Sequence, residues 1–280
     1  MTAVKIARYV TGAVTALLLF ILLTIVFIPR QAILDALNRG LADQGLSLSA
    51  ASFGKALPLG LRGTGWTLSS PRGPLLTLDR ASARLQLLPL LRGILAVTME
   101  GTAGSGRIAA TATSAAKGTL MVGIKGLSLE QIPFFATVTG VKAAGIVNCQ
   151  VDISGIAGRG SGSVRLDARG VDLRGVTLGE TPLPDAAYQT VQGMLRIRSG
   201  SGSVESFTLQ GDGLYVRIKG SIRPGTSLPD SPLELTLELM PKPEFLEKQK
   251  FVFLLLARYL DTPGHYQIPV KGTLGKPAIE

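Results

Sequence analysis

The segments LYVRIK at residues 214–219 and LELTLEL at residues 233–239 decide the fold class of this chain. In both segments an apolar residue alternates with a polar or amphipathic one. A period of two places alternate side chains on opposite faces of a β-strand, so each segment is predicted to be a strand with one apolar and one solvated face. The apolar faces consist of Leu214, Val216, Ile218, Leu233, Leu235, Leu237 and Leu239.

The same alternation recurs through residues 46–280, for example at Leu76 and Leu78 and at Val164 and Leu166. The chain has 34 glycines and 16 prolines. They interrupt the apolar runs about every ten residues, which is the spacing of antiparallel hairpins. We therefore predict a mainly β fold: an elongated, curved antiparallel sheet, open or partly closed, with one or two accessory helices.

Residues 118–129 and 162–173 are loosely similar to each other. In each segment a glycine opens an alternating strand, and a short break precedes a second pair of apolar residues. A degenerate repeat and two ordinary hairpins both explain this pattern, and no repeat length is fixed by it.

An uncharged apolar run from Val10 to Ile28 is predicted to be a transmembrane anchor. As a helix its 19 residues would be roughly 28 Å long, close to the hydrocarbon thickness of about 30 Å. A cleaved signal peptide is the alternative, but such peptides have a shorter apolar core and small residues before the cleavage site. This run ends at Pro29 and Arg30 instead. The apolar residues of the anchor are Val10, Leu17, Leu18, Leu19, Phe20, Ile21, Leu22, Leu23, Ile25, Val26, Phe27 and Ile28.

Lys5 and Arg8 precede the anchor, and cationic residues favour the cytoplasmic side of a membrane. Residues 1–9 are therefore predicted to be cytoplasmic, and residues 46–280 to form a β-rich domain on the other side. The other dense apolar run, Phe251 to Ala257, is too short to span a bilayer. The protein is predicted to cross the membrane once.

Two segments have helical rather than strand periodicity. From Gln31 to Asp43 the apolar residues recur on one face, and Gly45 can end the helix. Residues 29–45 are therefore predicted to be a juxtamembrane helix. A second helix is predicted from Pro243 to Leu260, packed on the sheet, capping one end of it, or lying on a membrane surface. Its apolar stripe would be Phe245, Val252, Leu256 and Leu260.

Composition argues against catalytic and metal chemistry. Cys149 and His265 are the only cysteine and histidine, so no disulfide can form within the chain and no cluster of cysteine and histidine ligands can be built. Cys149 is predicted to be a small buried hydrophobe, and His265 a turn residue without a nucleophile elbow nearby. We predict no enzymatic activity, no catalytic residue, no cofactor and no metal.

The formal net charge of +10 favours anionic lipid headgroups or an acidic partner. The lysines and arginines are scattered along the chain, and aromatic residues make up only 5% of it. Nucleic-acid surfaces combine dense basic patches with stacking aromatic residues. No nucleic-acid partner is therefore predicted.

The combined pattern resembles the type II secretion system protein N (GspN) family. The resemblance is carried by the anchor, the segment from Leu127 to Pro133, the glycine-punctuated strands between Gly158 and Gly175, and the ending from Tyr266 to Pro277. It implies an accessory inner-membrane subunit of the bacterial type II secretion system, with residues 46–280 in the periplasm as a scaffold or interaction module. The implied partners are other subunits of that system.

The ending and the strand rhythm are also similar to AsmA-like envelope proteins, whose longer members form grooves lined by apolar side chains. This second resemblance implies a lipid-binding or lipid-transfer protein of the bacterial envelope. The seven apolar residues of 214–218 and 233–239 would then face the acyl chains of phospholipid. The two functions remain alternatives at this point.

Overall fold

The chain folds around one large antiparallel β-sheet. A computed structural model describes residues 30–42, 45–56, 59–178, 181–225, 230–274 and 276–279. Within these ranges the sheet has fifteen strands and is open, which confirms the predicted mainly β fold. The predicted cytoplasmic residues 1–9 and the anchor from Val10 to Ile28 lie outside the described residues. No helix inside those ranges is long and apolar enough to cross a bilayer.

The strands follow one another closely along the chain. They are β1 Ser47–Ala56, β2 Gly60–Ser70, β3 Gly73–Leu85, β4 Ala96–Ala103, β5 Gly106–Thr113, β6 Thr119–Ser128, β7 Lys142–Ser154, β8 Ser161–Arg174, β9 Thr177–Leu178, β10 Thr181–Pro182, β11 Ala186–Arg198, β12 Ser201–Gly211, β13 Leu214–Ile222, β14 Leu233–Pro241, β15 Leu260–Thr262, β16 His265–Thr273 and β17 Lys276–Ile279. β9 and β10 pair only with each other.

The helices of the described residues are short. They are α1 Arg30–Ala42, α2 Leu87–Leu90, α3 Pro243–Lys248 and α4 Lys250–Leu255. Three single turns of 3-10 helix and a π-helical turn, Phe135–Thr139, complete the helical segments. α1 lies where the sequence predicts a helix from Gln31 to Asp43.

The predicted helix from Pro243 to Leu260 is wrong in its length. Gln249, with φ −115° and ψ 30°, separates α3 from α4, and the chain enters β15 at Leu260. Phe245 and Val252 of the predicted stripe pack against the core, and Leu256 lies within it. Leu260 is 47% exposed because it belongs to an edge strand rather than to the helix.

Neighbours in the sheet are neighbours in sequence. The order runs from β1 to β8, continues with β11 to β14, and ends at β16, with every pair antiparallel. The outer edge of β16 is shared by β15 and β17, which pair with its two ends. The sheet therefore has one edge formed by the ten-residue strand β1 and another formed by two short strands.

One face of the sheet is apolar and the other is polar. Direct cross-strand pairs such as Val216 with Leu239 and Ile218 with Leu237 place apolar side chains side by side on the first face, which we call the inner face. The outer face carries charged and hydroxyl side chains, including those of Arg217 and Glu238. The alternation of apolar and polar residues in the sequence thus corresponds to the apolar and polar faces of this sheet.

The short breaks in the two similar segments are irregularities of strand pairing. In β6 the pairing register shifts between Ile124 and Leu127, and Gly126 there has φ +64°. Gly170 holds the corresponding place in β8, before Val171, with φ +59°. Glycine readily adopts this left-handed conformation. The irregularity returns the next apolar side chain to the inner face after a spacing of three residues.

The core is concentrated at one end of the strands. We call this the α1 end, since β1 begins there, and the other the distal end. Leu127, Val147 and Val171 are fully buried in the α1 half of the inner face. The connection from β6 to β7, residues 129–141, and the helices α3 and α4 lie at this end and cover that half.

Candidate functional site

The structure places all seven predicted groove residues on one face of one strand pair. Leu214, Val216 and Ile218 lie on β13, and Leu233, Leu235, Leu237 and Leu239 lie on β14. The register pairs Val216 with Leu239, Ile218 with Leu237, and Gly220 with Leu235, so the side chains form one continuous apolar surface. The strand register thus places these seven residues side by side.

Most of this surface is a closed core. Five of the seven residues are buried, and Ile218 and Leu235 are partly buried against the same cluster. The ring of Phe253 on α4 lies 5.2 Å from the ring of Tyr266 on β16 and 6.2 Å from that of Phe245 on α3. The helices α3 and α4 therefore cover the α1 half of the surface on which acyl chains were predicted to lie.

An apolar surface is open in the distal half of the inner face. It follows a single row of directly paired residues across eleven neighbouring strands, which we call the apolar row. Ten inter-strand steps at about 4.8 Å give it a length of roughly 48 Å along the sheet. The row consists of Ala83, Met99, Ala110, Val122, Val151, Val164, Leu195, Val204, Gly220, Leu235 and Val270.

The side chains of the apolar row are partly accessible from Ala83 to Val204, whereas Val270 at the other end is buried. Met99 is 51% exposed, and Val122, Val151, Val164 and Leu195 are half-buried. Extended apolar surface of this kind is typical of a binding site in a soluble domain. Only Leu235 of this row was selected from the sequence, because valine and alanine in isolated alternating strands give no signal of which residues become neighbours.

A cavity of about 390 Å³ lies at the α1 end of β7 and β8. The connection from β6 to β7 forms one wall through Leu129, Ile132 and Phe135, and β7 and β8 form the other. Arg174 lies at this cavity and is paired with Asp172 at 2.6 Å. The neighbouring carboxylate raises the pKa of Arg174 above its ordinary value.

The titratable residues singled out from the sequence lie apart. His265 Nδ1 is 3.3 Å from Asp261 Oδ2 in the hairpin between β15 and β16. Cys149 lies on the inner face of β7 opposite Ile124 and Leu166, and burial raises the pKa of its thiol. Among the residues of the described ranges, no group of three or more histidine, cysteine and acidic side chains could hold a metal ion.

The β1 edge is the second candidate surface. No strand of the described residues pairs with the outer side of β1, which is ten residues long. The α1 helix covers the beginning of this edge: the N–H of Leu48 donates to Asn38 Oδ1 at 2.7 Å, and Asn38 Nδ2 donates to the carbonyl oxygen of Leu48 at 3.1 Å. A strand edge of this length can accept a strand from a partner.

Comparison of the chain with protein-family models, with curated proteins and with solved structures gave no match. The two candidate surfaces are therefore judged on their geometry and on the sequence resemblances described above.

Proposed function

We propose that the chain is an accessory inner-membrane subunit of the type II secretion system. In this proposal Val10–Ile28 anchors it in the bacterial inner membrane, and the elongated, curved sheet of residues 46–280 is a periplasmic scaffold. The observation that carries the proposal is the difference between the two edges of the sheet. β1 offers a long edge for pairing, whereas the opposite edge consists of β15 and β17, which have three and four residues.

Very short edge strands prevent unwanted pairing between sheets, and long open ones permit it. Strand addition at β1 would use main-chain hydrogen bonds for affinity and the side chains beside them for specificity. β1 also follows α1, so the open edge is the part of the sheet nearest in sequence to the predicted anchor. Other membrane subunits of the secretion system could reach it there.

Site-specific photocrosslinking in intact cells tests this function. A photoreactive residue replaces Ala51 on β1, and the matched control replaces Ala278 on β17, since both alanines are exposed on edge strands. We expect adducts with secretion subunits from position 51 and none from position 278. Adducts that contain no secretion subunit, or equal adducts at both edges, would contradict the proposal.

Lipid binding is the second candidate function, and the apolar row favours it. A surface of roughly 48 Å could hold extended acyl chains end to end along the sheet. The half-exposed side chains of Val122 and Val151 would then lose contact with water. In this function the chain is an AsmA-like lipid-binding or lipid-transfer protein of the envelope.

Photocrosslinking at two adjacent residues of β6 distinguishes lipid binding at the apolar row from nonspecific crosslinking to lipid. Val122 points to the inner face, while Met121 points to the outer face and is 52% exposed. A photoreactive residue at position 122 is expected to give phospholipid adducts in cells, and one at position 121 is not. Lipid adducts of equal yield at both positions, or none at position 122, would exclude the apolar row as a lipid site.

A further inference from the structure

The connection from β3 to β4 exposes an unusual number of leucines at the distal end of the sheet. Residues 86–95 read QLLPLLRGIL, and we call them the leucine tip. Leu88 is 79% exposed, Leu91 72%, Leu95 55% and Leu87 45%. Large apolar side chains clustered at an exposed loop mark a surface that is covered in the working protein.

The second half of the leucine tip pairs its backbone N–H groups within the tip. α2 lies within the tip, and the five backbone N–H groups from Leu90 to Ile94 donate to carbonyl oxygens inside the tip at 2.9–3.4 Å. The Leu95 N–H donates to Ser114 Oγ at 2.9 Å. A segment that enters an apolar phase must pair its backbone groups internally, because no water is present there to replace them.

The charges around the leucine tip have one sign. Between Asp79 and Glu100 the chain contains no acidic residue and three arginines, Arg80, Arg84 and Arg92. Arg84 and Arg92 are exposed on either side of the leucines. Exposed leucines flanked by arginines match the boundary between acyl chains and anionic headgroups.

We propose that the leucine tip inserts into the surface of the bilayer that holds the predicted anchor. Leu88 and Leu91 would enter the upper acyl region, and Arg84 and Arg92 would contact anionic headgroups. β3 is two strand spacings, about 10 Å, from β1 along the sheet. The tip lies at the distal end and α1 joins β1 at the other end, so contact with the same bilayer requires β1, with its ten residues or roughly 33 Å, to lie along the membrane surface. α1, about 20 Å long, is the only described element between the predicted anchor and β1. The proposal rests on the membrane location in the proposed function, and it requires neither a secretion partner nor lipid transfer.

The test uses the full chain reconstituted in vesicles of phosphatidylcholine and phosphatidylglycerol. Cys149→Ala removes the native thiol, and Leu88→Cys introduces a single site for an environment-sensitive fluorophore. The matched control is Ile156→Cys, since Ile156 is also exposed, at 48%, in the β7–β8 turn of the same sheet end. Trp66, the single tryptophan, is buried, and its emission reports that each variant is folded.

We expect lipids brominated on their acyl chains to quench the label at position 88 roughly threefold more than the label at position 156. Replacing phosphatidylglycerol with phosphatidylcholine should reduce this quenching, and so should Arg92→Glu. Equal quenching at both positions in vesicles that carry the protein would overturn the proposal. A disulfide between two copies at position 88 would overturn it in favour of self-association.

Flotation of the vesicles distinguishes a protein that is not attached to the membrane from one that is attached but does not insert its leucine tip. Protein that floats without quenching at position 88 is anchored without its tip, which rejects this inference alone. Protein that does not float rejects the anchor and the tip together.

Discussion

Lys219 Nζ lies 2.8 Å from Glu238 Oε1, between β13 and β14 on the outer face. The Glu238 side chain is only 10% exposed, whereas that of Lys219 is 44% exposed. Arg223, the residue after β13, pairs with Glu234 of β14 at 3.1 Å, but both of their side chains are more than half exposed. The two ion pairs therefore differ mainly in solvent access.

A double-mutant cycle with Lys219→Ala and Glu238→Ala is expected to give a coupling energy of about 1–3 kcal/mol, because removing the lysine leaves a buried carboxylate without its partner. The same cycle for Arg223 and Glu234 should give less than about 1 kcal/mol. Urea denaturation measures both. Equal couplings would show that burial does not distinguish the pairs.

Leu256→Ala should strongly destabilise the domain. Leu256 is fully buried under α4, so truncation leaves a cavity that costs about 2–5 kcal/mol of unfolding free energy. Leu254→Ala is the matched control, because Leu254 belongs to α4 and is 61% exposed, and its cost should stay within about 0.5 kcal/mol. Similar losses for both variants would mean that α4 does not pack as described.

Asn38→Ala should release the start of β1. The variant loses both hydrogen bonds to Leu48, at a cost of about 1 kcal/mol, and the Leu48 amide should exchange with solvent faster. Hydrogen exchange measured by mass spectrometry reports this directly. Ser52→Ala serves as the control, since its hydroxyl bonds an exposed threonine on β2 and leaves α1 untouched. Unchanged exchange at Leu48 would contradict the role of Asn38.

Gly126→Ala should cost about 1–2 kcal/mol because a side chain in the left-handed region is strained. A Cβ at Gly126 would meet no atom within 4 Å, so the expected loss comes from the backbone alone. Gly123, on the same strand, also has open space and no positive φ, and Gly123→Ala should be neutral. Thermal unfolding of the two variants compares them, and equal melting temperatures would refute the assignment.

Burial raises the pKa of the Cys149 thiol above 9.0. The folded protein then favours the neutral thiol, while the unfolded chain ionises near 9.0. The contribution of Cys149 to the free energy of unfolding is fully present below pH 9.0 and decreases as the pH rises above that value. Iodoacetamide at pH 8 should alkylate folded protein about tenfold more slowly than unfolded protein. Equal rates would show that the thiol is not shielded.

Tyr188 also contributes to the pH dependence of stability at alkaline pH, because burial raises the pKa of its phenol. Comparison with Cys149→Ala removes this contribution. The difference in unfolding free energy between the two proteins should change only above pH 9.0, whereas the loss that both share belongs to other groups.

The local spacing of apolar residues is sufficient to predict that the chain forms β-strands and that it contains helices. The four leucines of residues 233–239 are predicted to share one face, because the alternation of side chains is a property of each strand alone. Their burial depended on where α3 and α4 return to the sheet, which is a tertiary contact. The break at Gln249 was missed because the apolar residues on both sides of it keep a helical spacing.

The leucine tip and the apolar row could not be predicted from the sequence, for two different reasons. Residues 86–95 are rich in leucine, but their composition does not show whether these side chains are buried or exposed, and only the fold shows that they are exposed. The apolar row had no such signal, since Val122 and Val151 are ordinary strand residues until the register pairs them. Strand register over many hairpins is the information that a single sequence lacks.

The order of the sheet also governs how the chain can assemble. Each strand of the main sheet pairs with the one before it, apart from the small β9–β10 hairpin and from β15, which pairs with β16 while β14 pairs directly with β16. Contact order is therefore low for an all-β protein, and loop-closure entropy is small at every step. Hairpins can form one after another as the chain is synthesised, starting from β1. The core beneath α3 and α4 closes last, so a truncated chain would keep its early strands and lose its most buried layer.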